Sequence, residues 1–379
     1  MTIQRLDSHS ILDNIKSIGA DSMGQKIMGK KAQMLGFEIK DLGFEAMNIL
    51  KQEALSVGAE CATPKECITH KGEHIALLFG TRSNIEKILP KLAMQPFGLK
   101  ALKKALESHL YASQRIAHQQ TIMAIINVTP DSLYENSRKD AQGAIDRIHT
   151  LIQKEVGIID IGAASSRPGS ELIDTDVEIE RLTPVIEHIA TNKLYEKIDF
   201  SIDTYNAKTA EYALSHGFKI INDVSGLSES QMIEVAAQYN ARVVLMHTKG
   251  TPKQMQSLTH TYKNLFDDID TFFAEKITAL GQAGVKDLII DIGFGFAKDE
   301  TQNIALIKHL SHFQHFGLPL LVGASRKNTI GKITGRETKD RLAGTLAMHL
   351  YALQNGANIL RIHDEDSHID MLKIYKAMQ

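Results

Sequence analysis

Residues 121–163 read TIMAIINVTPDSLYENSRKDAQGAIDRIHTLIQKEVGIIDIGA, and this stretch sets the pattern for the rest of the chain. TIMAIIN (121–127) and GIIDIGA (157–163) are nearly unbroken apolar runs, the signature of strands covered on both faces. Between them Ala144, Ile145, Ile148, Leu151 and Ile152 recur at helical spacing, one apolar stripe facing the strands. DFSID (199–203), FKIIND (218–223), ARVVLMH (241–247), DLIIDI (287–292), PLLVG (319–323) and ANILRI (357–362) continue the strands. The stripe Leu342, Leu346, Met348, Leu350 and Leu353 is typical of the helical stretches that follow them. Eight strand–helix units over residues 119–379 predict an α/β fold, a (β/α)8 TIM barrel. An open doubly wound sheet is the rival, but no strand runs into a GxGxxG turn.

Working outward, residues 1–118 have a different texture. GEHIALLFG (72–80) reads as a strand. FEAMNILKQEAL (44–55) and SNIEKILPKLAM (83–94) read as helices, the second with Pro90 inside it. LKALKKALESHLYASQRIA (99–117) reads as a helix leading into the barrel. The expectation is a small α/β N-terminal extension, structural or oligomerising, in which Met23, Met28 and Met34 fill a core.

A formal charge of −2 without a long basic run argues against a nucleic-acid partner, which requires clustered Lys and Arg. The start mixes charge into every turn, unlike a signal peptide, and no run reaches the length of a membrane span. The expected location is cytoplasmic. Cys61 and Cys67 suit neither a disulfide framework nor a zinc site. His309, His312 and His315 stand at helical spacing, but steps of three and six rotate the third away from the first, so a solvated face is expected.

Polar residues gather where a barrel places its chemistry, at the C-terminal strand ends. Asn127 and Asp131 follow the first run; Ser165, Ser166, Arg167 and Pro168 the second; Asp203 ends the third; Asn222 and Asp223 the fourth. Met246 and His247 close the fifth, Asp291 the sixth, Ser325, Arg326 and Lys327 the seventh, and Arg361, His363 and Asp364 the eighth. Singly, such residues cap helices or sit solvated; eight ends converging on one mouth describe a site. Asp203, Asp291 and Asn222 suit the adjacent N–H donors of an aminopyrimidine-like ring. Arg167, Arg326, Lys327, Arg361 and His363 suit phosphate or carboxylate.

With these residues in place, residues 122–378 resemble the dihydropteroate synthase (pterin-binding) family. IMAIINVTPDSL, IIDIGAASSRPGS, SIDTYNAKTAEYAL, IINDVSGL, VVLMHTKGTPKQMQ, DIGFGFAKDETQNIALIKHL, LLVGASRKNTIG and ILRIHD follow in the family's order. The resemblance implies condensation of 6-hydroxymethyl-7,8-dihydropterin pyrophosphate with p-aminobenzoate, giving 7,8-dihydropteroate and pyrophosphate. It implies that Asp203, Asn222, Asp291 and Lys327 hold the pterin, with Met246 against the ring. Asn127, Arg361 and His363 would bind pyrophosphate, and Mg2+ would associate through Asn127. Ser166 and Arg167 would close over the reacting ends, and Pro168, Phe296 and Ser325 would form the p-aminobenzoate pocket, with Ser325 at the carboxylate; Arg326 counts among the substrate-binding residues. A homodimer is implied by resemblance alone.

The chain departs from the family pattern in places. Gly162, Ala163, Ala164, Ser165, Ser166 and Arg167 stand where Gly-Gly-Glu-Ser-Thr-Arg is usual, Leu133 replaces a Phe, and Tyr134, Glu135, Asn136 and Ser137 replace a Gly-rich stretch. Asp291-Ile292-Gly293 replaces Asp-Pro-Gly, and Met246-His247-Thr248 replaces Met-His-Met. These changes bear on how p-aminobenzoate or a sulfonamide fits. Two rivals remain: a corrinoid-linked methyltransferase acting on methyltetrahydrofolate, disfavoured by the anion-binding residues, and a non-catalytic pterin-binding protein.

Overall fold

The computed structural model of the protein describes residues 3–6, 8–68, 73–116, 119–128, 141–163, 173–251 and 253–378. The chain forms two compact units, Met1–Ala112 and Ser113–Gln379.

In chain order the first unit holds α1 (Ser8–Ser17), α2 (Ser22–Ala32), β1 (Met34–Gly43), α3 (Phe44–Ser56), β2 (Glu60–Ala62), β3 (Glu73–Thr81), α4 (Arg82–Leu92) and α5 (Leu99–Tyr111). Its strands form an antiparallel sheet in the order β1-β3-β2. The period-2 alternation of β3 sends Ala76 and Leu78 into a core with Met47, Leu50, Ile85, Ile88 and Leu92, and leaves Ile75, Leu77 and Phe79 exposed. Thr81 and Asn84 form a reciprocal capping box that starts α4, and Pro90 is held in its last turn. β1 has no counterpart in the sequence reading: Gly36 interrupts its alternation and its register shifts between Ile39 and Leu42. Met23, Met28 and Met34 are exposed, not core; α2 carries Lys residues on most turns and buries only Gly29. Cys61 and Cys67 are buried and free.

The second unit alternates β4 (Thr121–Asn127), α6 (Ala141–Ile152), β5 (Ile158–Gly162), α7 (Thr175–Thr191), β6 (Asp199–Asp203), α8 (Ala207–Ser215), β7 (Ile220–Asp223) and α9 (Ser230–Gln238). It continues with β8 (Arg242–Met246), α10 (Leu265–Gln282), β9 (Leu288–Asp291), α11 (Glu300–Lys308), β10 (Leu320–Val322), α12 (Asn328–Thr334), α13 (Leu342–Gln354), β11 (Ile359–Ile362) and α14 (Glu365–Ala377). All eight strands pair in parallel into a closed barrel, β10-β11-β4-β5-β6-β7-β8-β9. This is the (β/α)8 TIM barrel that the alternating runs predict. Outward residues such as Ile126, Ile161, Phe200, Ile202, Val243 and Leu245 join the helices in one core. Inward, Met123, Ile158, Ile220, Val244, Ile289, Leu321 and Ile359 form an apolar plug. Both strand parities are buried, which is why the runs are continuous. No helix among the described residues is long and apolar enough to cross a membrane.

Candidate active site

Strand side chains alternate, so the next inward positions lie two residues beyond the plug. On β5, β7, β8, β9 and β11 these are Asp160, Asn222, Met246, Asp291 and Arg361. The apolar plug therefore carries a polar floor, with Asp203 of β6 in register with Asn222.

Arg361 organises this floor. Its Nε donates to Asp160 Oδ2 at 2.6 Å, and its Nη2 donates to Asp203 Oδ2. Asn222 Nδ2 donates to the same Asp160 oxygen at 3.0 Å. Two carboxylates thus share one guanidinium. Although burial disfavours its charge, Asp160 and Asp203 hold Arg361 firmly protonated. Burial pushes Asp203 up to about 7 against the pull of Arg361, with Asp160 adding to the rise. Asp160 Oδ1 is buried without a hydrogen-bond partner. Negative charge and acceptor capacity thus exceed what the protein satisfies by itself, the condition of a floor built for a donor-bearing ligand.

Beside this floor, Asp291 accepts from Gly293 N at 2.8 Å, and burial raises its pKa. Lys327 Nζ lies 4.0 Å from the centroid of the Phe296 ring. Met246, Met255, Phe296 and Ala297 pack as a small apolar cluster, with Val224 against it. His363 Nδ1 is 2.9 Å from Ser325 Oγ, joining the ends of β10 and β11. Asn127 is half-buried at the end of β4.

The structure thus brings together Asp203, Asn222 and Arg361, and separately joins Lys327 with Phe296, Met246 with Phe296, and Ser325 with His363. Arg326 has a different position from the one the sequence suggests. It is buried, donating from Nε and Nη2 to Asp364 at 2.8 and 2.6 Å and from Nη1 to the Thr338 and Lys339 carbonyls at 2.9 and 2.7 Å. With these donors occupied, it is a strut that carries the loop before Lys327 at a left-handed φ of 56°. Asp223 likewise holds its own loop, accepting from Ser225 N and Leu227 N. Asp131, Leu133, Ala164, Ser165, Ser166, Arg167 and Pro168 lie outside the described residues.

Two residues escaped the sequence reading. Asp160 sits within an isoleucine run, GIIDIGA, and was absorbed into the strand. Its signal was available: a carboxylate at the inward parity of a buried strand requires a cation partner. Lys298 is also buried, its Nζ 2.9 Å from His247 Nδ1 and 3.2, 3.1 and 3.0 Å from the His247, Gly293 and Phe296 carbonyls. Burial lowers it to about 7. It binds the loop after β8 to the loop that presents Phe296. Gly293 is required there: at φ +65°, a Cβ would stand 1.9 Å from the His247 carbonyl oxygen.

The family model described as pterin binding enzyme matches residues 123–363. The bifunctional dihydropteroate synthase/dihydropteroate reductase of Helicobacter pylori is 50% identical over 380 positions, covering 100% of this chain and 99% of that protein. The dihydropteroate synthase of Escherichia coli K12 is 36% identical over 259 residues, 68% of this chain and 90% of the relative. Among solved structures, the Xanthomonas albilineans dihydropteroate synthase with 4-aminobenzoic acid has TM-score 0.63 at 34% identity, covering 69% of this chain and 93% of that one. The Yersinia pestis dihydropteroate synthase in a sulfonamide complex has TM-score 0.65 at 33% identity, covering 69% and 96%. The barrel, its polar floor and these matches agree: the chain belongs to the pterin-binding enzyme family and groups with its dihydropteroate synthases.

Proposed function

We infer that the barrel condenses 6-hydroxymethyl-7,8-dihydropterin pyrophosphate with p-aminobenzoate, releasing pyrophosphate. The supporting observation is the charge-rich floor, two buried carboxylates on Arg361 beside Asn222 and Asp291, at the mouth of a pterin-binding barrel. Asp203, Asn222 and Asp291 accept from and donate to the ring edge, Lys327 lies over it, and Met246 packs against its face. Arg361 and His363 face the leaving pyrophosphate, and Phe296 and Ser325, with Pro168, line the p-aminobenzoate pocket, which is also the proposed sulfonamide site. Ser166 and Arg167 close over the reacting ends.

In the reaction the methylene C–O bond breaks, the amine nitrogen forms a C–N bond to that carbon, and the amine proton leaves to solvent. Positive charge developing on the ring and methylene is stabilised by Asp203 and Asp291. A free aniline needs no strong base, so the reaction asks for no nucleophile–base pair. Asn127 contributes one amide oxygen of the kind Mg2+ accepts; Mg2+ commonly completes its shell with substrate phosphates and water, so the residue fits the ion. Bound there, Mg2+ would neutralise the pyrophosphate. The assay is pyrophosphate release matched by dihydropteroate formation from purified chain; tight binding of the pterin pyrophosphate without product would favour the non-catalytic rival. A homodimer accompanies this reading, and sedimentation as a monomer at micromolar concentration would remove it.

A second reading concerns residues 1–112. The bifunctional relative matches the whole of this chain, whereas the Escherichia coli synthase matches 68% of it. That coverage favours a reductive step on the same product, dihydropteroate, involving the N-terminal unit. The step adds a hydride and a proton across a ring C=N bond, with a reduced nicotinamide or flavin as donor. Donor oxidation that depends on dihydropteroate would support it; none with either donor class would leave the unit a structural or oligomerising part.

A further inference from the structure

Outside the barrel mouth, three side chains with metal-binding atoms converge. Asp270 lies on α10, and His312 and His315 lie on the 3-10 helix Leu310–Phe316 that precedes β10. His312 Nε2 is 2.9 Å from Asp270 Oδ2, and His315 Nε2 is 3.2 Å from Asp270 Oδ1. One ligand atom from each of the three residues falls within 4.8 Å of the others. The sequence expectation of a solvated face assumed α-helical geometry. In a 3-10 helix, residues i and i+3 eclipse, so His312 and His315 share one face and meet the same carboxylate. His309 is not one of the three grouped residues; its ring stands edge-on to Phe266 at 5.9 Å.

We propose that Asp270, His312 and His315 form a divalent-cation site of the zinc type, with a fourth position left to water. Around a tetrahedral ion bonded at about 2.1 Å, ligand atoms stand about 3.4 Å apart; here the two imidazole nitrogens stand 2.9 and 3.2 Å from the two oxygens of Asp270, and one ligand atom from each residue falls within 4.8 Å of the others. Two imidazole nitrogens and one carboxylate oxygen suit Zn2+ or Co2+, whereas Mg2+ and Ca2+ favour oxygen shells. The aromatic surround fixes both rings: His312 is edge-on to Phe266 at 5.3 Å, and His315 lies 4.0 Å from the Phe316 ring. Without a cation, each Nε2–H donates to Asp270. On binding, the proton moves to Nδ1 and Nε2 takes the ion, so α10 is cross-linked to the turn ahead of β10 through a bond instead of a proton.

The test uses untagged full-length protein stripped with a chelator and titrated with Co2+. The expected result is a visible ligand-field band of a four-coordinate ion that saturates at one equivalent, is displaced by Zn2+, and is lost in His312→Gln and in Asp270→Asn. Zn2+ at a hundredfold excess over its Kd should raise Tm by about 5 °C in the parent chain and leave both variants unmoved. Circular dichroism of the variants separates loss of ligands from loss of fold. Absence of the band in the parent chain, or its full persistence in folded variants, overturns the site. Synthase turnover is not part of the readout, so this outcome is independent of the barrel's assignment.

Discussion

Two arginines near strand ends of the same barrel, Arg326 buried and Arg361 half-buried, have opposite surroundings. Arg326 faces one carboxylate, Asp364, through two hydrogen bonds, and two backbone carbonyls take its Nη1. Arg361 faces two carboxylates, Asp160 and Asp203, and the cluster retains a buried acceptor oxygen with no partner. The first network is closed and charge-balanced within the protein. The second is electron-rich and incomplete. A buried network that satisfies itself supports the scaffold; one that leaves acceptors over is shaped for something that brings donors.

The contrast makes predictions, the largest at the closed network. Arg326→Ala should destabilise the chain by about 3 kcal/mol, because it strands a half-buried carboxylate and two carbonyls. Urea unfolding would measure it, and a loss below about 1 kcal/mol would mean that the network is not load-carrying. Lys327→Ala reverses the balance. Turnover should fall by about 10³ while the unfolding midpoint moves less than in Arg326→Ala, since Lys327 is half-buried where Arg326 is buried; unchanged kcat/KM would show that the ligand map is wrong.

Asp160→Asn is a finer cut. With its amide oxygen in the place of Oδ2 it still accepts from Arg361 and Asn222, but it puts an amide donor where the unpartnered Oδ1 stands. The expectation is a rise of about 10–100-fold in KM for the pterin substrate with stability little changed or improved; a KM within twofold of the parent would assign Asp160 to the scaffold.

The smallest effect is in pH. Asp203 has its folded pKa raised from 3.8 to about 7. Its carboxylate is the form that accepts from the ring, so kcat/KM should fall about tenfold per unit as pH drops below that value. Stability has the opposite sign: the contribution is fully present below the unfolded value, and is lost as pH rises through about 7. Asp203→Asn should flatten both limbs, and an acid limb that survives in this variant would break the assignment.

Much of the barrel was legible because its physics is local. A strand buried on both faces must be continuously apolar, and a helix over it must repeat at its own period; both patterns are visible without coordinates. The site was legible in part for a related reason: a polar residue ending an apolar run is conspicuous, which found Asp203, Asn222, Asp291 and Arg361. Asp160 was hidden inside a run, and Lys298 inside a loop with other polar residues. In the N-terminal unit, β1 was missed because a glycine and a register shift break its alternation, and the exposed methionines were misplaced because apolar character alone does not determine burial.

By itself the sequence determined the eight-stranded parallel barrel, the end of it where polar residues gather and the family to which it belongs, since periodicity and motif order are properties of the chain. Tertiary structure alone decided which charges meet. Asp160 and Arg361 are 201 positions apart, and closing the barrel sets them on one floor. Arg326 and Lys327 are adjacent in sequence, yet one is locked to Asp364 and the other lies over Phe296. His312 and His315 face one carboxylate because their turn winds as a 3-10 helix. Charge pairing depends on distances of a few ångströms between distant segments, which no local pattern in the chain specifies.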